Sequence, residues 1–319
     1  MSLLSFLRRG TLPSVAVELA ADHLAAATVG VRRGRATVVA HAAEPLAEGI
    51  IVPSLAAPNI PDRAAAIGAL GRLFDRLGGR PRRIGLVVPD PAAKVSLVRF
   101  EQVPARPRDR EQLVRWQVRK TVPFPIEQAQ LSYAAGARTA DGQEFIVSMA
   151  RRDIVEEYEQ LCAEVGAHAG IVDLATFSIV NAVLAGSVPT GRDWLVVHVA
   201  VGYASIAILR GGDMIFFRNR PSDADGSVVD LVHQTAMYYE DRLSGSGFER
   251  VILVGGARPR QAEDVAEIRR SLEGRLGSSV ETVDPRHAAR LTDRISAPPA
   301  LLETLAPLVG LLVRGQEAA

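Results

Sequence analysis

Between residues 14 and 42 three apolar runs, SVAVELA, LAAATVGV and RATVVAHA, are broken only at Ala21-Asp22-His23 and at Arg32-Arg33-Gly34. Short β-rich segments with such breaks predict an antiparallel meander. A connector through Pro53, Pro58 and Pro61 leads to Ala66, Leu70, Leu73 and Leu77, spaced at three and four. That spacing predicts a helix starting near Asp62 and stopped by Gly78-Gly79. The unbroken apolar run Ile84 to Val88 then reads as a buried strand.

From about residue 92 the pattern changes to a smaller unit. An alternating strand over 94–103 is followed by a helix from Pro107 to Lys120 and by strands near 129–136 and 144–150. A last helix places Ile154, Tyr158, Leu161 and Val165 on one face before Gly166, with Asp153 and Glu156 expected to form its capping box. The order β-α-β-β-α reads as a module inserted into the first half, whose sheet resumes near Ala169–Val172.

After 187–193 the opening pattern restarts. Strands WLVVHVA, ASIAILR and MIFFRNR precede a helix over Ser227–Leu243, the strand RVILVGG and a helix over Gln261–Leu276. The chain ends in a short helical turn and a helix for which Pro307 supplies the first position. The fold class is therefore α/β and duplicated: 1–13 an N-terminal segment, 14–190 a first half with the module at about 92–166, and 191–319 a second half.

Composition narrows the function. With 48% hydrophobic and 23% charged residues in 319, the chain has enough apolar material for two cores. Its 37 basic and 36 acidic side chains leave a net charge of +1, so no global field recruits nucleic acid or anionic lipid. Lys94 and Lys120 are the two lysines, so the arginine content reflects codon bias and is weak evidence for RNA binding. The single cysteine, Cys162, suits a reducing compartment and excludes a cysteine-built zinc site. Leu3, Leu4, Phe6 and Leu7 before Arg8 and Arg9 form too short an apolar run for a signal peptide, and read as a frayed terminus or a surface-binding segment. No Walker, HExxH or GxSxG motif occurs, and the six histidines are scattered. Asp90, Asp173 and Asp284 follow strands but stand near turns, where aspartate is a routine cap.

Within the module, EQLVRWQVRKTVPFPIEQAQLSY presents Trp116, Pro123, Phe124, Pro125 and Tyr133 in an order that resembles the PilM family of type IV pilus assembly proteins. IGLVVPDPAAKVSLVRFEQVP, MARRDIVEEY and IVDLATFSIVNAV extend the resemblance over nearly the whole chain. It implies duplicated actin- and Hsp70-like (ribonuclease H-like) halves with a cleft between them.

In that superfamily, hairpin turns bring backbone amides against nucleotide phosphates, which requires glycine, and an aspartate orients Mg²⁺. Where the family's first turn resembles Asp-x-Gly-Ser-x-x-x-Lys, this chain has Glu18, Ala20, Ala21 and Ala25. The second turn, Asp-x-Gly in the family, has His198 and Ala200, followed by Gly202, and imidazole suits Mg²⁺ poorly. The third element keeps Gly255-Gly256, although a glycine pair between strand and helix also makes a plain tight connection. His198 inside an apolar strand reads as a satisfied packing residue ahead of a catalytic base. Between Arg220 and Ser227 there is also no room for the family's second-half helical subdomain.

The resemblance thus implies a non-enzymatic adaptor with no cofactor, ATP and Mg²⁺ entering only if the altered site still binds. It would sit in the cytoplasm, at the inner face of the inner membrane, peripheral through its partner. That partner would be the N-terminal cytoplasmic peptide of a PilN-like protein. The family's groove between the first subdomain and the inserted module points to Val95, Leu97, Arg99, Trp116, Phe124 and Tyr133. Phe124, wedged between prolines, is expected to be exposed. Self-association stays open. The alternatives are an active actin-like ATPase and an L-type secretion or FtsA-type relative.

Overall fold

The computed structural model describes residues 13–188, 190–222, 227–255 and 262–314. The opening meander forms as the apolar runs predict. Strands β1 (Val15–Leu19), β2 (His23–Arg32) and β3 (Arg35–Pro45) pair antiparallel in sequence. Helix α1 (Arg63–Leu77) is capped at its start by Asp62, whose Oδ1 accepts from Ala65 N at 2.9 Å, and ended by Gly78 in the left-handed region. Strand β4 (Arg83–Val88) then adds parallel to β1.

The insertion comprises β5 (Lys94–Phe100), α2 (Pro107–Val118), β6 (Ala129–Thr139) and β7 (Gly142–Arg151), with the separate sheet ordered β5-β7-β6. Helix α2 covers one face through Val114 and Val118 against Phe145, Val147 and Met149. Helix α3 (Arg152–Glu164) returns to the main body, where Ile154, Tyr158 and Leu161 join the core beneath α1. Its expected capping box does not form. Arg151 is the N-cap residue without a side-chain cap, because the Asp153 carboxylate is turned back onto the Arg151 guanidinium. A capping box does form between Ser227 and Asp230. Strand β8 (His168–Leu174) closes the first sheet beside β4, and α4 (Ala175–Ala185) follows.

In the second half β9 (Asp193–Ala200), β10 (Tyr203–Arg210) and β11 (Asp213–Pro221) repeat the meander. Helix α5 (Val228–Leu243), β12 (Arg250–Val254), α6 (Ala262–Leu276) and the short β13 (Val280–Thr282) complete it. The orders β3-β2-β1-β4-β8 and β11-β10-β9-β12-β13 are the same topology twice, so the duplication is real at the level of the sheets. With β11 ending at Pro221 and α5 starting at Val228, the second half has no added subdomain there.

Two features differ from the sequence pattern. The chain crosses back after the second sheet: β14 (Arg290–Leu291) pairs with β3, and α7 (Pro299–Val313) packs on the first sheet through Leu305, Leu308 and Leu312. Helix α7 is also continuous, with Pro307 inside it rather than at its first position, which Pro299 occupies. A proline interrupts the internal hydrogen bonding without ending this helix, because both flanks are buried. Helices α4 and α7 cross between the two sheets. Their contact depends on Gly310, where a Cβ would fall 1.7 Å from the Ser178 carbonyl oxygen.

Candidate functional site

Two concavities organise the molecule. The first is the cleft between the halves, at the turns β1–β2 and β9–β10 and the end of β12. It encloses only about 60 Å³. Glu18, Ala20, His198, Ala200 and Gly255 line it, as the sequence pattern places them together, with Glu303 and Pro307 of α7 on the far wall. Ala25 does not reach it, being fully buried against the apolar face of α7. Gly202 sits in the β9–β10 turn with φ +86°, and Gly256 lies outside the described residues.

Glu18 is 7% exposed and faces His23, whose Nε2 lies 3.4 Å from Glu18 Oε2 while its Nδ1 lies 2.8 Å from Asp22 Oδ1. The carboxylate that would orient a cation is therefore engaged by an imidazole of its own hairpin. Gly255 is demanded by backbone geometry alone. Its φ is +97°, and a Cβ would fall 1.8 Å from the Val199 carbonyl oxygen.

Beneath the cleft lies a buried polar chain that the sequence pattern did not assign. Asp90, read as a turn residue, is fully buried just after β4 and accepts from Thr176 N at 3.0 Å, from the Thr176 hydroxyl and from Ser205 Oγ at 2.5 Å. Asn219 Nδ2 donates to Ser205 Oγ at 2.9 Å, and His198 Nδ1 lies 2.9 Å from Thr176 Oγ1. Since the Thr176 proton is committed to Asp90, His198 Nδ1 is the donor in the last bond. Thr176 and Ser205 donate directly to the one carboxylate, His198 and Asn219 stand behind them, and the four come from both halves. Asp284 fits its reading as a cap, accepting from Arg286 N at 2.9 Å.

The second concavity is larger, about 340 Å³, and lies between the sheet face opposite α2 and the elements β8, α3 and α4. Small side chains make the space: Ser132, Ala134, Ser148 and Ala150 line it from β6 and β7. Strands β6 and β8 are edges of their sheets and both border it, so backbone donors and acceptors are available to an extended chain. Its floor carries an ion pair, Arg314 Nη1 to Asp173 Oδ2 at 2.6 Å, with both side chains under one-tenth exposed. Burial raises the Asp173 carboxyl above its usual range although Arg314 opposes the shift. On the wall, Glu159 is raised too, mainly by burial.

The side chains expected in a partner groove divide between the faces of the module's sheet. Val95 and Leu97 are in register with Ser148 and Ile146, on the cavity side but packed against the main core. Arg99 is held by Glu144. Tyr133 borders the cavity from β6, but its ring packs edge-on to Phe145 at 5.7 Å, under α2. Trp116 is 57% exposed on α2. Phe124, expected to be exposed, instead packs half-buried on the α2 core, because the proline-flanked turn folds back under the helix. Most of the space is made by small residues, which aromatic landmarks other than Tyr133 do not flag. Their signal is the alternation along β6, where Gln130, Ser132 and Ala134 interleave with Leu131 and Tyr133.

Residues 17–241 match the family model described as type IV pilus assembly protein PilM. No curated protein matches the chain. Among solved structures, one described as the PilM–PilN type IV pilus biogenesis complex superposes with a TM-score of 0.78 at 18% identity, covering 96% of this chain and 99% of that one. A Bacteroides thetaiotaomicron protein of actin-like ATPase fold and unknown function superposes with a TM-score of 0.52 at 9% identity, covering 86% and 91%. At these identities the likeness shows the fold, which is actin-like.

Proposed function

The chain belongs to the PilM family of type IV pilus assembly proteins, and from that premise we propose that it is an adaptor that captures an extended peptide without turning over ATP. The occupant is the N-terminal cytoplasmic segment of a PilN-like inner-membrane protein, which places the chain at the cytoplasmic face of that membrane. The similar PilM structure, described as a complex with PilN, supports this partner.

The observation that carries the reading is the contrast between the two concavities. The cavity beside the module's sheet reaches about 340 Å³, within the range of roughly 300–1,000 Å³ typical of ligand pockets. The cleft between the halves holds about 60 Å³, and its turns carry Ala20 and Ala200 where close approach of phosphate needs glycine. An extended peptide would bury apolar side chains against the small-residue face and pair its backbone with an exposed strand edge.

Calorimetric titration with the N-terminal cytoplasmic peptide of a PilN-like protein from the same organism tests it. Micromolar or tighter binding is expected, about −8 kcal/mol or better, together with no isotherm for Mg²⁺–ATP. Absence of peptide binding, or saturable ATP binding with phosphate release, would sink it.

A further inference from the structure

The outward face of α2 is used neither by the module's core nor by the groove. Val114 and Val118 point inward, so 3.6-residue periodicity places Arg108, Gln112 and Trp116 on the opposite side, and Arg119 and Lys120 follow in the exposed turn that ends the helix. Trp116 is 57% exposed, and the Arg119 guanidinium lies over its ring at 4.9 Å. Residues 106–120 carry six basic and two acidic side chains, whereas the whole chain nets +1. Glu111 is engaged by Arg115, leaving Asp109 as the acid on the outward face. Among the described residues Arg106, Arg108, Arg119 and Lys120 have no carboxylate partner.

We propose that this face of α2 is a docking surface for an anionic lipid leaflet. The surface has one large exposed apolar side chain, Trp116. A protein partner would need an apolar patch near the centre of a standard interface, about 800 Å² on each side. A lipid surface requires only an indole at headgroup depth and cations facing anionic headgroups. Each basic side chain near such a surface is worth roughly five-fold in partitioning. Because α2 and the groove lie on opposite faces of one sheet, lipid contact leaves the groove open, and the inference does not depend on peptide capture.

The test is co-sedimentation of the full chain with vesicles of phosphatidylglycerol and phosphatidylcholine, against phosphatidylcholine alone, at low and high salt. Fluorescence gives a site-specific readout, because Trp194, the other tryptophan, is 3% exposed and stays silent. The expected result is binding to the anionic vesicles at low salt with a blue shift of emission. Replacing Arg108, Arg119 and Lys120 together by glutamine should weaken binding at least ten-fold, and Trp116→Phe should abolish the shift; all four side chains are exposed, so circular dichroism should be unchanged. Equal binding by the glutamine variant, equal binding to uncharged vesicles, or a shift produced by polyglutamate but not by anionic vesicles would each overturn the proposal.

Discussion

Replacing Arg314 by methionine removes the guanidinium that faces Asp173 at 2.6 Å and leaves that carboxylate with the Leu174 amide at 2.9 Å. Asp173 and Arg314 are 7% and 9% exposed, so the orphaned charge cannot be rehydrated without opening the floor of the groove. Breaking a buried pair from one side costs about 3–5 kcal/mol. The double variant Arg314→Met with Asp173→Asn should cost less than Arg314→Met alone, giving a coupling of at least about 2 kcal/mol in the cycle. The pH dependence has a definite sign. Burial already raises the Asp173 carboxyl, and loss of Arg314 raises it further. The folded state then takes up the proton more readily than the unfolded one. Stability from this group is full below the unfolded value near 3.9 and is lost as pH rises through the folded value. The Arg314→Met deficit should therefore be largest at neutral pH and shrink on acidification. Urea unfolding followed by Trp194 emission, at neutral pH and at about pH 5, reads both effects. A cost below about 1 kcal/mol, the value of a solvated surface pair, or a deficit indifferent to pH would refute the reasoning.

Ala134→Phe should fill the groove and weaken the PilN peptide by about 30-fold or more, equivalent to a hot-spot loss of about 2 kcal/mol, with the melting temperature little changed. Gly255→Ala should destabilise by at least about 2 kcal/mol in thermal unfolding, since its φ of +97° and the Val199 carbonyl oxygen at 1.8 Å from the added Cβ both oppose it. His198→Asp, which restores the family's residue, should gain no Mg²⁺–ATP affinity by calorimetry. It should cost about 4 kcal/mol, because it sets a second carboxylate about 4 Å from Asp90, where His198 Nδ1 now stands at 3.8 Å.

The sheets were legible in the sequence because each half's meander is written in short apolar runs with sharp breaks, and because buried parallel strands such as Ile84–Val88 are unbroken. What was hidden depends on tertiary closure. Strand β14 has two residues, Arg290 and Leu291, and exists only because β3 offers an edge to it. Helix α7 keeps Pro307 in its interior because apolar contacts on both sides outweigh the lost hydrogen bond, a balance that local propensity cannot express. Glu18, Ala20, His198, Ala200 and Gly255 meet at the cleft because turn chemistry is local, with a missing glycine visible at Ala20 or Ala200 without a structure, whereas Ala25 faces α7 instead. Of the cavity's lining, the sequence flags only Tyr133, because absence of bulk makes the space. Ser132 and Ala134 are unremarkable until β8 and α3 stand opposite them, whereas Trp116 and Phe124 draw the eye and serve the other face of the sheet.

The polar chain beneath the cleft explains why the altered turns and the buried aspartate belong together. In an actin-like protein that uses nucleotide, the bound phosphates bridge the two halves. Here Asp90 and Thr176 belong to the first half, and His198, Ser205 and Asn219 to the second; every hydrogen bond among them runs toward the same carboxylate. A buried network of this kind holds position only when each member is satisfied. Histidine at 198 meets that condition by donating to Thr176, which a carboxylate in its place could not do. The imidazole at this turn is therefore the group that completes a clasp between the halves. A protein whose halves are clasped by its own side chains needs no ligand in the cleft to stay closed, and a ligand that binds open and closed forms equally would shift nothing. On this reading the cleft fixes the frame on which α3, β8 and the module's sheet hold the groove at a constant width.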